Sequence, residues 1–155
     1  MTTGILPSMD AVAQEVGLSK GGLIHHFPSR AALVDGLIAR AIAEVDAAMT
    51  RAAAEHHAAE TWLRLSVPEA ADVDLYRAMA VALKALGSSD RSPPAVVTES
   101  LTRWDTLLTA ELGDASRALT VRLVGDGLFM NALSGMPIEV ENLNQMIAYL
   151  LPAPS

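Results

Sequence analysis

Residues 8–33 read SMDAVAQEVGLSKGGLIHHFPSRAAL, and the fold turns on how this stretch is divided. Ser8, directly after Pro7, is a natural N-cap. Its hydroxyl oxygen accepts from N–H groups that the first helical turn leaves without partners. Asp10 sits in that first turn, where the helix dipole favours an acid. Val12, Ala13 and Val16 share one face, and Gly17 supplies the left-handed residue that stops the helix. Ser19 caps a second short helix, Lys20 to His26, broken by Pro28; its Leu23 and Phe27 are four apart and can face the first helix. Ser29 caps a third, from Arg30 to about Thr50 or beyond, with the apolar stripe Leu33, Leu37, Ile38, Ile42, Val45 and Met49. The short turn Gly17-Leu18-Ser19 between the first two helices suits a helix-turn-helix.

The rest of the chain continues in helical periods. Trp62 to Ser66 is predicted as a short helix ended by Pro68, and Asp72 or Asp74 begins another that closes at Gly87. Residues 87–92 form a polar loop where mobility is expected to concentrate. Pro93 and Pro94 suit the first turn of a helix carrying Val97, Leu101, Trp104 and Leu108, stopped by Gly113. Asp114 caps the next helix, which ends at Gly135. Ile138 or Glu139 starts the last, with Val140, Leu143, Ile147 and Leu150 on one face and Pro152 beyond. No stretch alternates as a strand does. The fold class is all-α: an N-terminal helix-turn-helix head with its connecting helix over 1–50, then a helical body over 51–155.

Composition bounds the rest. Of 155 residues, 51% are hydrophobic and 19% charged, enough apolar surface for a sizeable core. Without cysteine, neither disulfides nor thiolate metal sites are available. Arg77, Lys84, Arg122 and Asp126 interrupt the longest apolar runs, and no secretory leader pattern opens the chain, so a cytoplasmic protein with no membrane partner is expected. The net charge is −7. Up to Arg51 there are four basic residues (Lys20, Arg30, Arg40, Arg51) against five acidic (Asp10, Glu15, Asp35, Glu44, Asp46), so this part carries −1 and the remainder −6. Charge alone would not suggest DNA. The adjacent pairs His25-His26 and His56-His57 point about 100° apart on a helix and make poor two-ligand metal sites. No nucleophile–base spacing or phosphate loop suggests an enzyme, and no cofactor is implied.

Gly17-Leu18-Ser19, then Lys20-Gly21, then His26-Phe27-Pro28-Ser29, closely resembles the DNA-binding signature of the TetR/AcrR family of transcriptional regulators, with Arg30 where the family pattern ends in lysine. The resemblance implies double-stranded operator DNA as partner. Lys20, Gly21, Gly22 and His25 would face the major groove beside Ser19, and Ser8, His26 and Arg30 would make phosphate or frame contacts. Ile24 stands where the family often has a phosphate-holding tyrosine. Family members also carry a helix before the motif. Met1 to Pro7 is too short to form it, so the chain as given is expected to lack it and to bind DNA weakly or not at all.

For the body, the resemblance implies a small apolar effector, with Trp62, Tyr76, Met79, Leu83, Trp104, Leu107 and Phe129 as candidate lining; ordinary core packing explains each of them as well. The penultimate helix is apolar on much of its circumference (Leu119, Val121, Leu123, Val124, Leu128, Phe129, Met130, Leu133), and Gly125 and Gly127 permit close helix approach. With the last helix it would form a homodimer interface, unless both are simply core. The expected function is a ligand-responsive regulator acting as a repressor. The alternative is a truncated dimeric ligand-binding or protein-interaction module that no longer binds DNA.

Overall fold

The computed structural model describes residues 8–70, 72–73, 76–77 and 95–151. Among them lie seven helices and no strand: α1 Met9–Glu15, α2 Lys20–His26, α3 Arg30–Ala54, α4 Ala58–Leu65, α5 Ala95–Leu112, α6 Ala115–Leu133 and α7 Val140–Leu150. The boundaries follow local chemistry. Ser8, Ser19, Ser29 and Asp114 stand in extended backbone, and each side chain accepts from the N–H three residues on. Gly17, Gly113 and Gly135 turn the chain out of α1, α5 and α6 with φ of 69°, 68° and 81°. Of the helix expected from Asp72 or Asp74 to Gly87, residues 72–73 and 76–77 are described and helical; its remainder, the loop over 87–92 and Pro93-Pro94 lie outside the described residues.

One boundary departs from expectation. α4 begins at Ala58, four residues before Trp62, and its cap residue His57 makes no side-chain capping bond. The cap comes from another helix. Glu111, near the end of α5, accepts from the N–H of Ala58 at 2.5 Å and of Ala59 at 3.2 Å, satisfying donors that would otherwise be buried without partners.

α4 is the centre of the body, packed against α3, α5 and α6 and touching α7. Met49, Trp62, Leu63, Trp104, Leu108, Val121, Leu128, Leu143 and Ile147 meet in one core, with Ala58, Ala59 and Ala118 where helices approach closely. A second, smaller cluster, Val34 and Ile38 with Leu37, Ala41, Ile42, Tyr76 and Val97, lies nearer the head end of α3. Of the two glycines expected to admit close approach, Gly125 does so: a Cβ there would stand 2.2 Å from Trp62 Nε1 and 2.6 Å from Ser66 Oγ. Among the described residues, nothing lies within 4 Å of a Cβ at Gly127. They are two residues apart on a helix and point to different sides. Val140, expected on the inner face of α7, is 71% exposed, while Leu143 and Ile147 are buried. Val140 is the first residue of α7, before the helix settles onto the core. No helix of the described residues is long and apolar enough to cross a membrane.

Candidate nucleic-acid interface

α1 and α2 pack against each other, and Ala13 and Leu23 are the buried residue of each, both 3% exposed. Between them the chain turns at Gly17, and the Leu18 N–H donates back to the Ala13 carbonyl at 2.9 Å. That bond leaves Ser19 extended, so its hydroxyl oxygen can take the Gly22 N–H at 3.0 Å and start α2 at once. Beyond α2, Phe27 seats its ring over Gly36 of α3, where a Cβ would come within 2.8 Å of Cε1. The glycine at 36 is thus the socket that docks the end of α2 on the long helix.

Successive residues on a helix lie about 100° apart. With Leu23 turned inward, the opposite side of α2 carries Gly21 and His25. Lys20 and Ile24 flank them on one side, Gly22 and His26 on the other. All of these except half-buried Gly22 are exposed, as is Arg30 at the start of α3. Of the groove-facing residues expected from the motif, Lys20, Gly21 and His25 are exposed and Gly22 is half-buried. Ser8 and Ser19 are also exposed, but their oxygens are engaged as caps, at 3.2 Å to the Ala11 N–H and 3.0 Å to the Gly22 N–H. Each keeps its hydroxyl proton to donate. His25 and His26 meet edge to face, with ring centroids 5.5 Å apart.

Two features of this surface carry no signal in the motif. Lys20 Nζ is paired with Asp10 Oδ2 of α1 at 2.9 Å. Gly21 has no internal reason to be glycine: a Cβ there would meet nothing nearer than Ser19 Oγ at 4.0 Å.

The aromatic residues of the body separate into two groups. Trp62 and Trp104 are buried with centroids 5.4 Å apart, and both indole nitrogens donate inside the protein, to the Arg122 carbonyl at 3.2 Å and to Asp46 Oδ1 at 2.6 Å. Arg103 also reaches Asp46, so α3 and α5 are joined by polar contacts beside the core. Tyr76 and Phe129 meet edge to face at 5.7 Å, both half-buried, next to Arg77, whose Nε donates to the Leu133 carbonyl at 2.9 Å. Burial first, then the carboxylates of Asp72 and Glu44, holds the Tyr76 phenol above its ordinary pKa of 10.0. Leu107 is half-buried on α5; Met79 and Leu83 lie outside the described residues. A separate open groove of about 500 Å³ runs along α5, lined by Thr102, Asp105, Thr106, Thr109 and Ala110, and includes none of these aromatics.

A serine-capped helix pair that turns at a glycine, docks on a long helix and exposes its second member has the layout of a helix-turn-helix. Residues 7–37 match the family described as bacterial regulatory proteins, tetR family, and residues 48–153, more than half of the chain, match the tetracyclin repressor-like C-terminal domain. The chain belongs to the TetR family and is a DNA-binding transcriptional regulator. No curated protein and no solved structure matches it.

Proposed function

We propose that the protein is a ligand-responsive repressor that binds operator DNA as a homodimer, inserting α2 of each subunit into a major groove. The observation that carries this reading is the outward face of α2. Lys20, Gly21 and His25 stand together in solvent, and a glycine occupies a helical position where the protein's own packing asks for none. Lys20, Gly21, Gly22 and His25 would lie along base edges, and Ser8, Ser19, His26 and Arg30 along phosphates. Such a protein works in the cytoplasm, where its DNA is.

The dimer reading rests on α6. Leu119, Leu123 and Met130, spaced i, i+4, i+11, form an apolar stripe 48%, 53% and 58% exposed, beside the open Gly127. Met136, Val140 and Tyr149 extend the apolar exposure toward and along α7. Exposed apolar surface of this kind on a helical protein marks an association face, and two-fold pairing is its commonest use.

The effector would enter the body and bias the separation of the two heads. α3 suits the transmission, because it starts at the Ser29 cap beside the head and reaches the body core at Met49. Tyr76, Phe129 and Leu107, with Met79 and Leu83, are the residues proposed to meet an apolar ligand, and Trp62 and Trp104 would respond through the shared core. The division of labour between head and body is proposed to fall near residue 50, within the continuous helix α3. Selection of bound duplexes from random DNA tests the function directly. Enrichment of a two-fold-related sequence, with half-sites about one helical turn apart, is expected. Recovery of no preferred sequence would overturn the reading.

A further inference from the structure

Lys20 is the first residue of α2. That is the positive end of a helix, where a cation is disfavoured and an acid preferred. The head meets this local conflict with Asp10, in the first turn of α1, whose Oδ2 lies 2.9 Å from Lys20 Nζ. The side chains are 60% and 64% exposed, so the pair is open to exchange with any anion that approaches the outer face of α2. Exposed pairs of this kind are weak and easily traded.

We infer that Asp10 is an internal stand-in for a DNA phosphate that restrains the attraction of Lys20 to DNA of any sequence. This rests on the DNA-binding reading of α2. On arbitrary DNA, Lys20 exchanges one carboxylate for one phosphate and gains little, so its contribution to sequence-independent binding is suppressed. On any sequence, operator or not, the Asp10 pair is broken before Lys20 reaches the DNA, so its cost is common to every complex. Asp10 thereby lowers affinity overall, and base contacts alone set the preference for one sequence over another. The charge balance of the head fits this role: with one acid more than its bases up to Arg51, it is not built to hold DNA by bulk attraction.

The test is a double-mutant cycle on the full chain, read by fluorescence anisotropy with a random-sequence duplex of roughly 30 base pairs at about 50 and 200 mM salt. Asp10→Asn is expected to tighten binding about twofold to fivefold and to steepen the salt dependence by about one released ion. In a Lys20→Met background the same substitution is expected to change nothing. An equal gain in both backgrounds would mean that Asp10 only repels phosphate, and weaker binding by Asp10→Asn would mean that it positions Lys20 for contact; either overturns the inference. Asp10→Ser, which suits a helix start but is too short to reach Lys20, must reproduce Asp10→Asn, and circular dichroism confirms that each variant is folded. Failure of the unmodified chain to bind any duplex at the lower salt is a separate result, seen before any variant is made, and overturns the DNA reading together with this inference.

Discussion

The carboxylate of Glu111, at the end of α5, caps α4 by accepting the backbone N–H of Ala58 at 2.5 Å. Its other oxygen takes the N–H of Ala59, and both alanines are fully buried. Hydrogen bonds to a charged acceptor contribute about 1.5–3 kcal/mol, and an abandoned buried donor costs a similar amount. Glu111→Ala is therefore expected to lower the unfolding free energy by about 2 kcal/mol in urea titrations. Glu60→Ala, which removes only the exposed i, i+4 pair with Arg64, should cost about 0.5 kcal/mol or less. Equal effects would show that the Glu111 cap contributes no more than a surface charge.

Gly125 and Gly127 give a matched contrast on one helix. Adding a methyl at 125 drives it into the Trp62 indole and the Ser66 hydroxyl, and displaces the Trp62 Nε1 bond to the Arg122 carbonyl. Gly125→Ala is expected to cost about 1–3 kcal/mol through overpacking and to change tryptophan fluorescence. Gly127→Ala meets open space and should not destabilise the subunit, since alanine is favoured in a helix by about 1 kcal/mol. Chemical denaturation of the two variants side by side checks the sign of each.

The residues that made the fold legible act on their immediate neighbours. Ser8, Ser19, Ser29 and Asp114 each bond a backbone group three residues on, and Gly17, Gly113 and Gly135 act where they stand, so a reading along the chain recovers them. The start of α4 was not legible because its cap arrives from 53 residues away. Likewise Asp46 reads as one more acid on a solvated helix face until α5 brings Trp104 Nε1 to it. Gly125 and Gly127 looked equivalent because α6 is apolar nearly all round, and only the placement of Trp62 tells them apart. In the head, the exposed face of α2 followed from the position of Leu23, but the Asp10–Lys20 pair bridges two helices whose relative orientation no periodicity records.

Arg122, 19% exposed, lies between Asp105 at 2.9 Å and Asp126 at 2.7 Å. Desolvation raises the Asp126 pKa above its ordinary 3.8; Arg122 pulls it down, and Asp105 adds to the rise. The folded state thus holds the Asp126 proton more tightly than the unfolded chain does. This contribution to stability is complete below the ordinary carboxylate range and is lost as pH rises through the folded value. Asp126→Asn is expected to flatten the dependence of stability on pH just above about 4. Denaturation midpoints across that window check it, and an unchanged slope would remove Asp126 as the source.

Leu123 lies in the middle of the exposed stripe on α6, 53% exposed. A charge placed there meets water in an isolated subunit, so Leu123→Glu should alter subunit stability by no more than about 0.5 kcal/mol. Buried across a two-fold axis, the same charge would face its own copy in an apolar interface, at a cost of several kcal/mol. Light scattering at micromolar concentration is expected to give a dimer for the parent chain and a monomer for Leu123→Glu. A parent that is already monomeric would overturn the dimer reading.

Gly21 separates what the fold needs from what the function needs. Glycine inside a helix costs about 1 kcal/mol relative to alanine, and among the described residues the methyl of Gly21→Ala would meet nothing nearer than Ser19 Oγ at 4.0 Å. Gly22 differs, since a Cβ there would crowd Ser19 Oγ at 3.3 Å and disturb the cap. Gly21→Ala is accordingly expected to raise thermal stability while weakening DNA binding about tenfold, the affinity equivalent of 1.4 kcal/mol, because the methyl holds α2 away from the groove floor. Melting curves and mobility shifts on the selected operator measure the two effects independently. Opposite signs would assign Gly21 to the DNA contact. Greater stability with unchanged affinity would remove it from the interface and leave recognition to Lys20 and His25.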